Sequence, residues 1–283
     1  MRRLPLAAAV LAGTMAIVGT SCDYLAARDH LNKGVAAMKS AKYKDATEHF
    51  KQAMALDPNW DVPKLYLATA YMSQWIPGAE SAENKAFEDQ ARAGFLKVLE
   101  SSPNDKMALE YLASMSFSEA TSGTPTPEGR LQKLDESAEW HNKRVTVEPN
   151  AQSLYSLGVI SYLKLVPDFQ AARTTLKMRP DDPGPLKDPK LRQELIAKHG
   201  AEIDGAMANL QKALDIDPEY DNAMVYMNIL IRTKADTLED KAEYDKQIAA
   251  ADSWLAKSLE TKKIKAARLA KKANSGIVQD APK

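Results

Sequence analysis

The chain has 283 residues, 38 basic and 38 acidic side chains, and 45% hydrophobic residues. This is the composition of an ordinary globular body, and the balanced charge excludes a general nucleic-acid binder, which needs a basic surface to displace counterions. One cysteine excludes an internal disulfide framework and any paired-cysteine metal or redox site, and twelve glycines leave little room for phosphate-cradling loops.

In chain order, Arg2 and Arg3 precede an uncharged stretch from Leu4 to Val18, followed by Gly19, Thr20, Ser21 and Cys22. A basic start, a short apolar run and a small-residue site form an export signal. The run is shorter than the ~20 residues that a spanning helix needs. Cys22 at the expected cleavage point resembles a bacterial lipobox. Ser21 and Thr20 occupy favourable places, while Gly19 stands where Leu is usual. The resemblance implies that residues 1–21 are a lipoprotein signal, that Cys22 is lipidated, and that 22–27 link the anchor to the body. The alternative is an ordinary cleaved signal beside an incidental Cys. A lone exported thiol without a disulfide partner favours lipidation. Cleavage would leave a slightly acidic body, which an acyl anchor would hold at a bilayer without help from a basic patch.

The next segment sets a pattern that recurs. Gly34 is followed by Ala46, Phe50, Ala53 and Pro58. Ala46, Phe50 and Ala53 share one face of a helix, and small residues at 34 and 46 let two antiparallel helices approach closely. Pro58 stops the second helix. The intervals return at Ala91, Phe95, Val98 and Pro103, and at Ala206, Leu210, Ala213 and Pro218, with a degraded copy at Ser137, His141, Arg144 and Pro149. First-helix anchors fall at Gly34, Ala68, Ala113, Gly158 and Asn228. This pattern resembles the tetratricopeptide repeat and, more broadly, bacterial tetratricopeptide lipoproteins of unassigned role. The resemblance implies an all-α, right-handed superhelix of about five hairpins, at about 28–60, 61–105, 106–150, 151–220 and 221–260, within a solenoid spanning 28–272. A basic capping helix is expected at 260–272 and a flexible tail at 273–283. Uneven anchor spacing places insertions at 75–84, 118–130 and 164–199, the last with four prolines between 178 and 190.

A stacked helical repeat presents a groove lined by its first helices. Candidate groove residues are Met72, Glu110, Tyr155, Tyr162, Asn222 and Arg232, a mixture suited to an extended peptide or a partner helix. The carboxylate clamp of tetratricopeptide co-chaperones is not expected, because Leu31, Val35 and Tyr66 stand where its polar residues would be. The four histidines form no metal-binding sequence motif, and His49 and His141 read as packing or surface positions of second helices. No nucleophile, phosphate-loop or dinucleotide motif is present. Asp181, Asp182 and Asp188 match no calcium loop and read as solvated loop charge. The basic run from Lys257 to Lys272 reads as a solvated cap, with contact to anionic lipid as the functional alternative.

The expectation is a non-enzymatic scaffold without cofactor or metal, exported and lipid-anchored on a membrane facing the periplasm. Its partner would be a protein or peptide, not nucleic acid. The competing expectation is a binding or regulatory lipoprotein for a small ligand or envelope glycan, with 164–199 as a lid.

Overall fold

The computed structural model describes residues 6–123, 126–179 and 182–277, with side chains from Cys22 onward except at 123 and 274–277. The ends of the expected signal and tail, 1–5 and 278–283, lie outside the described residues, as do Thr124, Pro125, Pro180 and Asp181. Among the described residues ten α-helices run α1 (Leu6–Lys39), α2 (Tyr43–Leu56), α3 (Asp61–Met72), α4 (Ala82–Ser101), α5 (Lys106–Ser118), α6 (Pro127–Val147), α7 (Ala151–Thr175), α8 (Pro189–Ile216), α9 (Asp221–Ala235) and α10 (Lys241–Ile277). A π-helical turn, Glu119–Gly123, follows α5. No strand occurs among the described residues, and none of their helices is long and apolar enough to cross a membrane.

The chain divides into two compact units, Met1–Lys133 and Leu134–Lys283. Antiparallel hairpins build each: α1 with α2 and α3 with α4 in the first, α7 with α8 and α9 with α10 in the second. Helix α6 begins in the first unit and ends in the second.

The first hairpin turns where Ala41 adopts φ 55°, in the left-handed region. The Lys42 N–H donates to the Ala37 carbonyl at 2.9 Å across that turn. A Cβ added at Gly34 would overlap the Phe50 ring. Phe50 is fully buried with Ala46 and Ala53, and Leu31, Val35 and Tyr66 pack against this cluster. The fourth hairpin repeats the arrangement. A Cβ at Gly158 would lie 2.8 Å from Leu210 Cδ2, and Ala206, Leu210 and Ala213 are buried. In the second hairpin Ala68, Ala91, Phe95 and Val98 are buried. Helix starts are fixed by polar caps: Ser81 accepts from the Asn84 N–H, Asp105 from Ala108, and Asn150 from Ser153.

Three of the following four segments differ from the sequence expectation. Residues 22–27, expected as a linker, are helical within α1, because nothing between Leu6 and Lys39 breaks a helix strongly enough. The 75–84 insertion is a short turn pinned from inside. Buried Asn84 accepts from the Ile76 N–H at 2.6 Å and donates to the Ile76 and Ala79 carbonyls at 2.9 and 2.8 Å, while Trp75 is buried. The 164–199 insertion is mostly a lengthening of both helices of the fourth hairpin. Helix α7 continues through Pro167 to Thr175, so only 176–188 connects it to α8. Pro167 is exposed on its helix, where water can replace the hydrogen bond that the ring removes. Finally, the expected capping helix and the start of the tail are part of one helix, α10.

Candidate functional site

The extra length of α7 and the connection that follows it form part of a cleft within the second unit. It encloses about 1010 Å³ and is lined by α7, by Met178, Asp182, Pro183 and Gly184 of the connection after it, and by α9 and α10. Tyr162, Val166, Gln170 and Thr174 face it from α7, and Ile229, Arg232 and Thr233 from α9. Tyr244 and Ile248 of α10 complete the apolar part of the lining, with Lys241 and Asp245 at the start of that helix. Beneath lies the core of the unit, including Leu165, Phe169, Leu210, Met227 and Leu230.

One wall comes from the described residues of the connection between α7 and α8, 176–179 and 182–188, which several contacts tie down. Leu186 is fully buried and Met178 nearly so. Arg173 Nη2 donates to Asp236 Oδ1 and Oδ2 at 2.8 Å, and its Nε donates to Oδ2 at 3.1 Å. The remaining guanidinium nitrogen donates to the Arg179 and Asp182 carbonyls, each at 3.1 Å. The Leu186 N–H donates to the Asp236 carbonyl at 2.9 Å, the Gly184 N–H to Tyr244 Oη at 2.8 Å, and Arg192 to the Leu186 carbonyl at 2.6 Å. Gly184 allows this approach, since a Cβ there would run into the Asp236 carboxyl. Burial pushes the Asp236 carboxyl above its usual range, and the charge and hydrogen bonds of Arg173 oppose that shift. Asp188, read in the sequence as loop charge, caps α8 by accepting from the Lys190 and Leu191 N–H groups.

A tyrosine ladder adjoins the cleft. Tyr226 stands edge-on to Tyr155 and Tyr162 at 5.6 and 5.8 Å between centroids, and Tyr155 meets Tyr220 at 4.9 Å. Burial is the main reason that the Tyr155 phenol is pushed up to about 12, with Tyr226 and Asp221 adding to it, so it remains a neutral donor. Charges around the cleft are locally matched. Arg232 pairs with Asp252 and donates to Asn228 Oδ1 at 2.9 Å, and Lys241 donates to Asp245 at 2.7 Å. An apolar floor with a polar, neutralised rim favours a mixed peptide surface over a strongly charged small ligand.

The sequence-predicted residues distribute as follows. Tyr162 and Arg232 line the cleft, and Tyr155 stands in the adjoining ladder. Asn222 is exposed in the first turn of α9. Met72 and Glu110 are half-buried on α3 and α5 of the first unit, apart from this cleft. The small and aromatic signature positions lie at hairpin interfaces, while Pro58, Pro103 and Pro218 lie in the connections after α2, α4 and α8. Cys22 is exposed on α1.

Other juxtapositions escaped sequence reasoning. Arg173 and Asp236 are 63 residues apart, and no local pattern couples them. His199 Nε2 lies 2.7 Å from Asp168 Oδ2, and Lys198 donates to the same oxygen at 2.6 Å. His30 and His49 meet between α1 and α2. No group of three or more His, Cys, Asp or Glu side chains disposed to hold a metal occurs among the described residues. The His199–Asp168 contact ties α7 to α8.

The tetratricopeptide-repeat family profile matches residues 27–60. No significant match is found among curated proteins. Among solved structures, MamA from Desulfovibrio magneticus RS-1 (residues 41 to the end) is similar at 15% identity with a TM-score of 0.51. The likeness covers 84% of this chain and 95% of that one. A double mutant of MamA RS-1 gives a TM-score of 0.52 at 15% identity, covering 84% and 96% of the two chains. TTC0263, a thermophilic tetratricopeptide-repeat protein of Thermus thermophilus, matches at 19% identity and a TM-score of 0.41, over 73% of this chain and 99% of that one. The MamA likenesses speak to fold alone. With the profile on the first hairpin and a similar interface recurring in helix pairs of both units, the chain carries a tetratricopeptide repeat within an all-α solenoid fold.

Proposed function

We propose that this protein is a non-enzymatic scaffold of the bacterial cell envelope, anchored through lipidated Cys22, that holds a peptide segment of a partner protein in the cleft of its second unit. The observation that carries the reading is the cleft itself, about 1010 Å³ with a wall fixed by Arg173 and Asp236. A preformed apolar cleft keeps the ordering cost of binding low, and a polar neutralised rim leaves backbone and side-chain donors to orient a peptide. Anchoring raises the local concentration of the scaffold near envelope partners. Exposed Cys22 on α1, close to the first hairpin, supports attachment there.

Site-specific photocrosslinking in cells tests the proposal. A crosslinker at Gln170 or Thr174, in the cleft, is expected to trap one envelope protein. The same group at exposed Lys212 on α8, outside the cleft, is expected to trap none of it. Equal capture from both positions, or capture of no protein from the cleft, overturns the cleft as the docking site. Labelling with a radioactive fatty acid, abolished in Cys22→Ala, checks the anchor separately.

A further inference from the structure

His30 on α1 and His49 on α2 approach with their Nδ1 atoms 3.3 Å apart, their rings 5.5 Å between centroids and tilted by 37°. Both residues are half-buried at the edge of the first hairpin. The spacing is fixed by the scaffold rather than by the histidines, because Gly34, Ala46 and Phe50 set how closely α1 and α2 pack. With both rings neutral, one Nδ1–H donates to the other Nδ1 lone pair, so two ring nitrogens already point into one small space.

That separation has a chemical meaning. Imidazole nitrogens bind Zn²⁺ at about 2.0–2.1 Å, and the edge of a tetrahedron with those arms is about 3.3–3.4 Å. A square-planar ion would need its adjacent nitrogens nearer, at about 2.8–2.9 Å for arms of similar length. Asp29, one residue before His30, has its carboxylate drawn to Lys33 at 2.6 Å. Its carboxyl is held low chiefly by the hydrogen bond from that lysine, with smaller effects from the charges of His30 and His49.

We infer that His30 and His49 form a two-histidine site for a tetrahedral divalent cation, Zn²⁺ by preference, that clamps α1 to α2 and leaves its other coordination positions open to solvent or to an oxygen donor. Coordination through both Nδ1 atoms requires both rings in the Nε2–H form. The proton now shared between the rings moves to Nε2 of its own ring through solvent, and no net proton is released when both rings begin neutral.

The test uses the full chain in detergent, in a Cys22→Ser background so that the thiol contributes nothing. Titration with Zn²⁺ is expected to give one ion per chain and to raise the melting temperature. Co²⁺ in its place is expected to show the intense visible absorption of a tetrahedral ion. His30→Gln and His49→Gln are each expected to weaken binding at least about tenfold, while His199→Gln leaves it unchanged. Should a variant lose helicity, imidazole ¹⁵N spectra of the unsubstituted rings give the independent reading: Zn²⁺ must shift Nδ1 of both histidines. No binding below millimolar Zn²⁺, binding that survives both substitutions, or Nδ1 signals that do not move would each reduce the pair to a hydrogen bond and overturn the inference.

Discussion

The first and fourth hairpins share one interface and differ in length. In both, a glycine of the first helix faces a large side chain of the second, Gly34 against Phe50 and Gly158 against Leu210. The second helices differ in length, 14 residues in α2 against 28 in α8. The shared interface fixes the crossing. The added length carries the chain past the repeat, and the 176–188 connection then has to be tied back by Arg173, Asp236 and Leu186. The motif thus builds the scaffold, and the departure from its standard length forms part of the cleft.

The comparison breaks most severely at the shared interface. Phe50→Ala removes a fully buried ring pressed against Gly34 and is expected to cost about 3–5 kcal/mol, measured by urea unfolding. Leu210→Ala, at the equivalent place, is expected to cost about 2–5 kcal/mol. If either substitution cost under about 1 kcal/mol, the two interfaces would not be equivalent, and the repeat would not be what holds that hairpin.

The tie unique to the fourth hairpin comes next. Asp236→Ala strands Arg173, whose side chain is 16% exposed, and is expected to cost about 2–4 kcal/mol. The two carbonyls still held by Arg173 keep the loss toward the lower end. Hydrogen exchange should quicken at Gly184 and Leu186 and stay unchanged in α2. Uniform quickening would mean that the connection is not a local strap.

These contacts explain what could be read in advance. Residues 34, 46, 50 and 53 were legible because the helix period places them on facing stripes, so their roles follow from local spacing. The Arg173–Asp236 tie was not, since it depends on how a proline-rich connection folds back over 63 residues. Pro167 does not end α7, because an exposed proline costs a helix one hydrogen bond without ending it when packing on both sides continues. His30 and His49, 19 residues apart, become neighbours only through the register of the first hairpin, which the spacing of apolar residues defines too coarsely to place two nitrogens. In the second unit Tyr162 and Arg232 of the expected groove do face one cleft, whereas the wall of Met178, Asp182, Pro183 and Gly184 beside them had no counterpart in the repeat pattern.

A pH titration separates the histidines by environment. His141 is 3% exposed, and burial lowers its pKa from 6.5 to about 4. Above 6.5 it is neutral in both states and contributes no pH dependence. As pH falls from 6.5 toward 4 the unfolded chain takes up a proton that the folded chain refuses, so stability declines, by roughly 2–3 kcal/mol across that window. Urea midpoints at pH 7.5 and 4.5 should therefore differ less in His141→Leu than in the unsubstituted protein. An identical difference in the two would mean that His141 titrates normally.

The smallest effect is expected on α10, whose basic run reads as a solvated cap with contact to anionic lipid as the alternative. Lys265 donates to the Glu219 carbonyl at 3.1 Å and to Asp221 at 2.7 Å, and Arg268 donates to both Glu219 oxygens at 2.7 and 2.6 Å. The middle of that basic run is therefore engaged with acids at the start of α9, where negative charge complements the helix dipole. Arg268 is mostly exposed, so water and salt screen its pair. Arg268→Gln is expected to cost less than about 1 kcal/mol at low salt and nothing measurable at about 0.5 M. A larger loss that persists in salt would show packing by the Arg268 stem. Liposome binding that falls with this substitution, in protein lacking the acyl anchor, would instead assign the run to an anionic surface, because a residue engaged only with Glu219 has no reason to report on lipid.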